Sequence, residues 1–109
     1  MARVRVPDET EAQIIRENGM DPNCYGVEFR DADTIRLLCY ATRDEVSIWT
    51  GHSDFDCLRH PEGTETQIIR ENGMNPENYV VGYREADTIV MICYVTRDVV
   101  TIWKGDRKW

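Results

Sequence analysis

Arg16 and Arg70, Arg30 and Arg84, and Arg43 and Arg97 stand 54 residues apart in matching local sequence. Tyr40 and Tyr94, and Trp49 and Trp103, recur at the same offset. A guanidinium grips phosphate with two parallel hydrogen bonds, and an aromatic ring offers a flat surface for a base. These residues could build two equivalent pockets for a nucleotide-type signalling ligand, with Arg30, Arg84, Arg43 and Arg97 holding its phosphate. Two features argue against that chemistry. Arg43 and Arg97 fall in hairpin turns, far from the tryptophans along the strand. Arg16 and Arg70 sit in Arg-Glu steps on helices, whose ordinary fate is a solvated face.

His52, Asp54, Asp56, Cys57 and His60 form a cluster of metal-ligand residue types, and Cys24 could complete a tetrahedral zinc set. There is no CxxC pair and the cluster is not repeated, so a solvated linker accounts for it and no metal is expected. Cys57 and His60 are neighbours in sequence but have no third group to orient them for nucleophilic catalysis. Gly19 and Gly73 read as helix caps and not as a phosphate loop. Carboxylate pairs such as Asp31 and Asp33 lie at turns, where Asp is common for conformational reasons. The expectation is a non-catalytic protein without a cofactor.

A duplication must position these residues. Residues 10–51 recur as residues 64–105 without a gap, and 27 of the 42 positions are identical. A unit of roughly 50 residues buries too little apolar surface to be stable alone, so the copies should pack together. Residues 1–58 are read as the first unit with its linker, and residues 59–109 as the second.

Within each copy, Thr10 with Gln13, and Thr64 with Gln67, have the spacing of a helix capping box. The short helix should end at Asn18-Gly19 and Asn72-Gly73, and Pro22 and Pro76 forbid its continuation. Ile14, Ile15, Ile68 and Ile69 must hold it to the sheet, since two turns are not stable alone. Alternation places Tyr25, Val27 and Phe29, or Tyr79, Val81 and Tyr83, on one face of a first strand. The hairpin that follows carries Ile35, Leu37, Cys39, Ala41, Val46 and Ile48 on one face, with Ala41 expected opposite Val46 and Cys39 opposite Ile48. This apolar face should take the helix.

The opposite face carries Arg36, Leu38, Tyr40, Ser47 and Trp49 in the first copy. In the second it carries Val90, Ile92, Tyr94, Val99, Thr101 and Trp103. It is too apolar to be left in water. Sheet-on-sheet packing of the two copies is the first candidate to cover it, and a second chain or a target protein the next. The expected fold class is α+β: two tandem αβββ units with antiparallel strands, related by a pseudo-twofold axis and sharing one core.

The net charge of −7 repels nucleic acid unless the basic residues are segregated, so direct nucleic-acid binding is not expected. Eleven of the 13 basic residues are Arg, which suits fixed pairing with carboxylates. No apolar run approaches the ~18 residues of a membrane-spanning helix, and the first residues lack the apolar stretch of a signal peptide. Cys39 and Cys93 read as reduced core residues, and a cytoplasmic protein is expected.

The segment IIRENGMNPENYVV, followed by strands joined through a Thr-Arg-Asp hairpin, resembles a group of very short bacteriophage and prophage proteins. That group has a helix ending in Asn-Gly-Leu/Met-Asn-Pro, an aromatic opening the first strand and a closing hairpin. The motif falls here at residues 18–22 and 72–76, with Tyr25 and Tyr79 as the opening aromatics. Group members are usually single-copy and more basic, so the tandem copy and the acidic charge are departures. The resemblance implies a phage origin and the cytoplasm of a bacterial host.

The functional expectation is a small phage protein that binds and inhibits a host factor, with an anti-defence role such as an anti-CRISPR as the concrete form. The partner would be a host protein or ribonucleoprotein with a basic surface. Glu28, Asp31, Asp33 and Glu45 would supply charge, and Tyr40, Trp49, Tyr94 and Trp103 the aromatic anchors. Glu9, Glu11, Glu17, Asp44, Asp54 and Asp56 would add to the acidic surface, which should be asymmetric because Gly82 and Val99 replace Glu28 and Glu45. The competing expectations are sequestration of the nucleotide-type ligand and a homo-oligomeric phage accessory protein, a homodimer included, assembled through the second sheet face.

Overall fold

Helix α1 (Glu9–Glu17) starts because a carboxylate closes on each side of its first turn. Glu11 N donates to Asp8 Oδ1 and Asp8 N donates to Glu11 Oε1, both at 2.9 Å. The capping box therefore spans Asp8 and Glu11, two residues before the expected Thr10–Gln13 pair. Helix α2 (Gly63–Glu71) likewise follows Glu62, whose N donates to Glu65 Oε1 at 2.9 Å. A carboxylate outcompetes Gln here because arginines converge on it, as described below. The structure, a computed structural model, describes residues 4–51 and 58–104.

Both helices exit through left-handed glycines, Gly19 at φ 79° and Gly73 at φ 77°. The turn is closed by Gly19 N to Arg16 O at 2.9 Å and Met20 N to Ile15 O at 3.1 Å, and Met20 is buried against the last helical turn. Gly73→Ala should cost about 1–2 kcal/mol for the left-handed conformation. Gly19→Ala should cost a similar amount, because the atom its methyl would approach, Asn78 Nδ2 at 2.7 Å, is the end of a side chain that can turn aside. Urea unfolding of the two variants checks the cost. Pro22 and Pro76 then open short 3-10 turns that lead into the first strand of each copy.

The strands are β1 (Tyr25–Arg30), β2 (Thr34–Cys39), β3 (Glu45–Trp49), β4 (Tyr79–Arg84), β5 (Thr88–Cys93) and β6 (Val99–Trp103). They form one antiparallel sheet in the order β1–β2–β3–β6–β5–β4. The fold is mixed α+β, two helices and a six-stranded antiparallel sheet around one core. No helix among the described residues is long and apolar enough to cross a membrane.

Two expectations about register are corrected. Leu37 pairs with Val46 and Ile35 with Ile48, so β2 lies four residues out from the expected pairing. The connecting loop is longer because Tyr40–Asp44 leaves the ladder, with Arg43 left-handed at φ 64° and Cys39 N bonded to Asp44 O at 3.0 Å. The offset is even, so each side chain keeps its face. In β1 the alternation breaks at a bulge between Val27 and Phe29, and in β4 between Val81 and Tyr83. Tyr25 and Val27 are buried, whereas Phe29 and Tyr83 turn to the opposite face and are exposed.

The core contains Ile15, Ile68 and Ile69 from the helices and Tyr25, Val27, Ile35, Leu37, Cys39, Val46 and Ile48 with their second-copy counterparts. The helices therefore cover this face. The central contact is β3 on β6, with Ser47 opposite Thr101, Glu45 opposite Trp103 and Trp49 opposite Val99. The copies meet edge to edge within one sheet, so the expected packing of one second face on the other does not occur. Cys24, Cys39 and Cys93 are free thiols.

Candidate functional site

The face without helices is read from the strand pairings. Phe29, Arg36, Ser47, Thr101, Val90 and Tyr83 form one row across all six strands. The flanking rows carry Leu38, Glu45 and Trp103 on one side and Trp49, Val99, Ile92 and Val80 on the other. Leu38, Val80, Ile92 and Val99 are buried, but Phe29 is 47% exposed, Trp49 37% and Tyr83 52%. Tyr40 and Tyr94 are 53% and 50% exposed. Tyr40 lies over Gly26, where an added Cβ would meet Val4 Cγ1 at 1.9 Å and the Tyr40 hydroxyl at 2.8 Å. Large aromatic surface therefore faces solvent across the sheet.

Charge on this face is unequal between the copies. Arg36 lies 5.4 Å over the Phe29 ring and pairs through Nε with Glu45 Oε2 at 3.3 Å. The second copy has Val90 and Val99 in those places and Tyr83 opposite Val90. Glu28, at the β1 bulge, is half-buried with one carboxylate oxygen closed off from solvent.

Asp31 and Asp33 are exposed in the β1–β2 turn, and Asp33 serves its own copy's tryptophan. Trp49 Nε1 donates to Asp33 Oδ2 at 3.3 Å, while Thr50 N donates to the Asp33 carbonyl at 2.9 Å. Trp103 Nε1 and Asp87 repeat the arrangement at 3.3 Å. Each tryptophan thus directs its indole N–H at a carboxylate on the rim.

The arginines expected to hold phosphate are placed otherwise. Glu11 is fully buried, receiving both Nη groups of Arg5 at 2.7 and 2.6 Å and Arg30 Nη1 at 2.9 Å. In the second copy Glu65 receives Arg59 at 2.7 and 2.6 Å and Arg84 Nη1 at 3.0 Å. The Arg5 hydrogen bonds hold the Glu11 carboxyl down at about 2 against the opposing effect of burial, and the Asp8 amide and Arg30 add to them. Glu65 is held at about 2 by the same set, led by Arg59. Arg30 and Arg84 are therefore structural cations, which removes the main support of the phosphate pocket. Glu11 likewise leaves the acidic surface. The missed signal was Arg5 and Arg59, themselves 54 residues apart just upstream of the aligned segment. Each bridges the edge strand through paired backbone bonds to Val27 or Val81, which delivers its side chain to the glutamate.

Arg43 and Arg97 are exposed in their hairpin turns, both left-handed. Because β3 runs against β6, Glu45 faces Trp103 and Val99 faces Trp49, so each turn sits at the end of the sheet that holds the other copy's tryptophan.

Asp44, expected on the surface, is buried in a polar cluster that joins the copies. Asn72, the residue that ends α2, donates from Nδ2 to Asp44 Oδ2 at 3.0 Å and accepts from Thr42 Oγ1 at 2.8 Å. The Tyr25 hydroxyl donates to the Asn72 carbonyl, and Lys104 Nζ donates to Asp44 Oδ2 at 3.1 Å. Asn18, at the end of α1, repeats this with Asp98 at 3.1 Å, Thr96 at 2.8 Å and the Tyr79 hydroxyl. Burial pushes both tyrosine hydroxyls well above their ordinary range, so they stay protonated donors.

His52, Asp54, Asp56 and Cys57 lie outside the described residues, while His60 is exposed and Cys24 half-buried. Among the described residues no group of three or more His, Cys, Asp or Glu is placed to hold a metal ion. No protein-family model, curated protein or solved structure matches this chain.

Proposed function

We propose that the chain is a tandem pair of αβββ units, residues 1–58 and 59–109, related by a pseudo-twofold axis between β3 and β6. Support comes from the reciprocal pairing about Ser47 and Thr101 and from the matching helix caps. On this scaffold the protein acts without catalysis, as a small phage protein that binds and inhibits a factor of its bacterial host, such as a defence nuclease.

The observation that carries the binding function is the aromatic exposure on the helix-free face. Phe29, Trp49 and Tyr83 are partly exposed on the hydrogen-bonded sheet, and aromatics presented on regular elements are the usual anchors of protein interfaces. The partner's character follows from charge. The chain carries −7, and Asp31, Asp33, Glu85 and Asp87 stand exposed in the two turns that flank the face. A basic protein or ribonucleoprotein surface fits that rim, with its arginines or lysines meeting the turns and its apolar centre meeting the aromatics.

Native mass spectrometry of the tagged protein recovered from a host lysate identifies the partner. The same partner, purified, then tests the surface. Trp49→Ala and Tyr83→Ala should each weaken binding by about tenfold or more, the loss expected of an anchor worth roughly 1.4–2 kcal/mol. Asp31→Lys should slow association and flatten its salt dependence. Affinity indifferent to all three substitutions would remove this face from the interaction, and a small-molecule adduct in place of a protein would favour ligand capture.

A further inference from the structure

The two repeats differ at the bulge of their edge strands. Glu28 occupies the bulge of β1, half-buried with one carboxylate oxygen closed off from solvent, and Gly82 stands in its place in β4. An open cavity of about 360 Å³ lies at Gly82, lined by Leu58, Arg59, Val81, Gly82, Tyr83 and Arg84. That volume falls within the range of small-ligand sites, about 300–1,000 Å³. Leu58 and Tyr83 are exposed, and Arg59 and Arg84 partly so. Both arginines give Nη groups to Glu65, and Arg84 Nε binds the Glu85 carbonyl. Arg59 Nε and Arg84 Nη2 remain as donors without an acceptor among the described residues. Two further carboxylates stand nearby, Glu62 at 3.9 Å from Arg59 and Glu85 beside the Tyr83 hydroxyl. They do not exclude another. Asp8 and Asp31 occupy the matching positions in the first repeat, which still carries Glu28 between Val27, the residue bridged to Arg5, and Arg30.

We propose that the Gly82 cavity is a binding site for a short aliphatic carboxylate, of the size and charge of the Glu28 side chain. The carboxylate accepts from Arg59 and Arg84, while its methylene stem lies against Leu58 and the Tyr83 ring. Guanidinium groups are weakly hydrated and bind carboxylates through directed, charge-assisted bonds, so arginines already joined to Glu65 can share a second carboxylate. One ligand is expected per chain, because Glu28 occupies the matching place in the first repeat. The ligand is a free acid or a glutamate side chain of a peptide lying along β4, the last strand of the sheet. The site and the host-factor reading are independent, and neither falls with the other.

The probes are sodium butyrate, which reproduces a glutamate side chain from Cα outward, and glutamate capped as its N-acetyl N-methylamide. Each would be titrated into ¹⁵N-labelled protein at constant ionic strength. Amide shifts of Leu58, Arg59 and residues 81–84 should saturate with a Kd of about 1–10 mM, the range open to a ligand of so few atoms. Tighter binding of butyrate assigns the site to a free acid, and tighter binding of the capped glutamate to a peptide. Butan-1-ol should give no such saturation, and equal binding of it would overturn the carboxylate assignment. Gly82→Glu installs the first repeat's residue in an extended strand and should weaken binding by about tenfold or more. Glu28→Gly should add a second set of saturating shifts at residues 4–5 and 27–30, raising the stoichiometry from one ligand to two. No saturation in the parent chain up to about 50 mM ligand, or an unchanged response in G82E, overturns the proposal. Should either variant fail to fold, as its amide spectrum would show, the other decides: E28G still binding a single ligand, or G82E still binding as the parent does, is fatal.

Discussion

Glu11→Gln and Glu65→Gln should each lower the unfolding free energy at neutral pH by about 3 kcal/mol, among the largest effects of any substitution outside the aliphatic core. Each glutamate is fully buried and receives two guanidinium groups and one backbone amide. Removing the negative charge leaves two arginines facing each other across a neutral amide, and breaking a buried pair from one side typically costs about 3–5 kcal/mol. Arg5 and Arg59 are roughly half exposed, which places the cost at the lower end of that range.

The same two residues set the acid limit of the fold. Both carboxyls sit at about 2 in the folded protein, against an ordinary value of 4.5. Between those values the unfolded chain holds two protons that the folded chain does not, so stability rises with pH there. The contribution is fully present above about pH 4.5 and is lost as pH falls through about 2. Each group contributes about 2–3 kcal/mol by this linkage, and two together approach the whole stability of many small domains, about 5 kcal/mol. Urea midpoints measured from neutral pH down to about pH 2.5 should fall steeply below about pH 4.5 in the parent chain. The E11Q/E65Q protein should start lower and show a flatter profile. Equal slopes in the two proteins would show that the triads do not govern acid unfolding.

Local patterning made the elements legible, and long-range chemistry hid the rest. Asn18-Gly19 and Pro22 mark a helix exit wherever they stand, because φ > 0 and a missing amide are properties of the residues themselves. Period-two alternation placed Ile35, Leu37, Val46 and Ile48 on the covered face, and an even register offset could not undo it. The bulge at Glu28 and Gly82 left no such mark, since the two residues share neither size nor charge, and Phe29 and Tyr83 changed faces with it. Arg30 and Arg84 read as ligand residues because their partner carboxylate is on a helix 19 positions away in sequence. The same carboxylate moved the capping box off Thr10. Asp44 and Asp98 read as turn residues, which they are, but their burial depends on a helix end from the other copy, 28 and 80 positions away in sequence. The edge-to-edge joining of the copies was equally out of reach, because β3 and β6 carry side chains on both faces that suit either stacking or pairing.

Those distant helix ends set the second large effect. Asn18→Ala should destabilise the chain by about 3 kcal/mol, and Asn72→Ala by about 2 kcal/mol, as judged by urea unfolding at neutral pH. Both remove the amide that donates to a buried aspartate and to the last helical carbonyls. The two sites differ in what remains. Asp44 keeps Lys104 Nζ at 3.1 Å when Asn72 is lost. The residue equivalent to Lys104 in the first copy is Thr50, which supplies no such charge, and Asn18 is the side-chain donor to Asp98 among the described residues. Loss of Asn18 therefore takes from a buried carboxylate the donor that Asp44 would still have in Lys104. Lys104→Thr tests the cause directly: on that background Asn72→Ala should cost as much as Asn18→Ala does in the parent chain. Equal costs in the parent chain would refute the role of Lys104. Costs below about 0.5 kcal/mol at both sites would mean that the β3–β6 pairing and the shared core hold the two repeats without the exchanged helix ends.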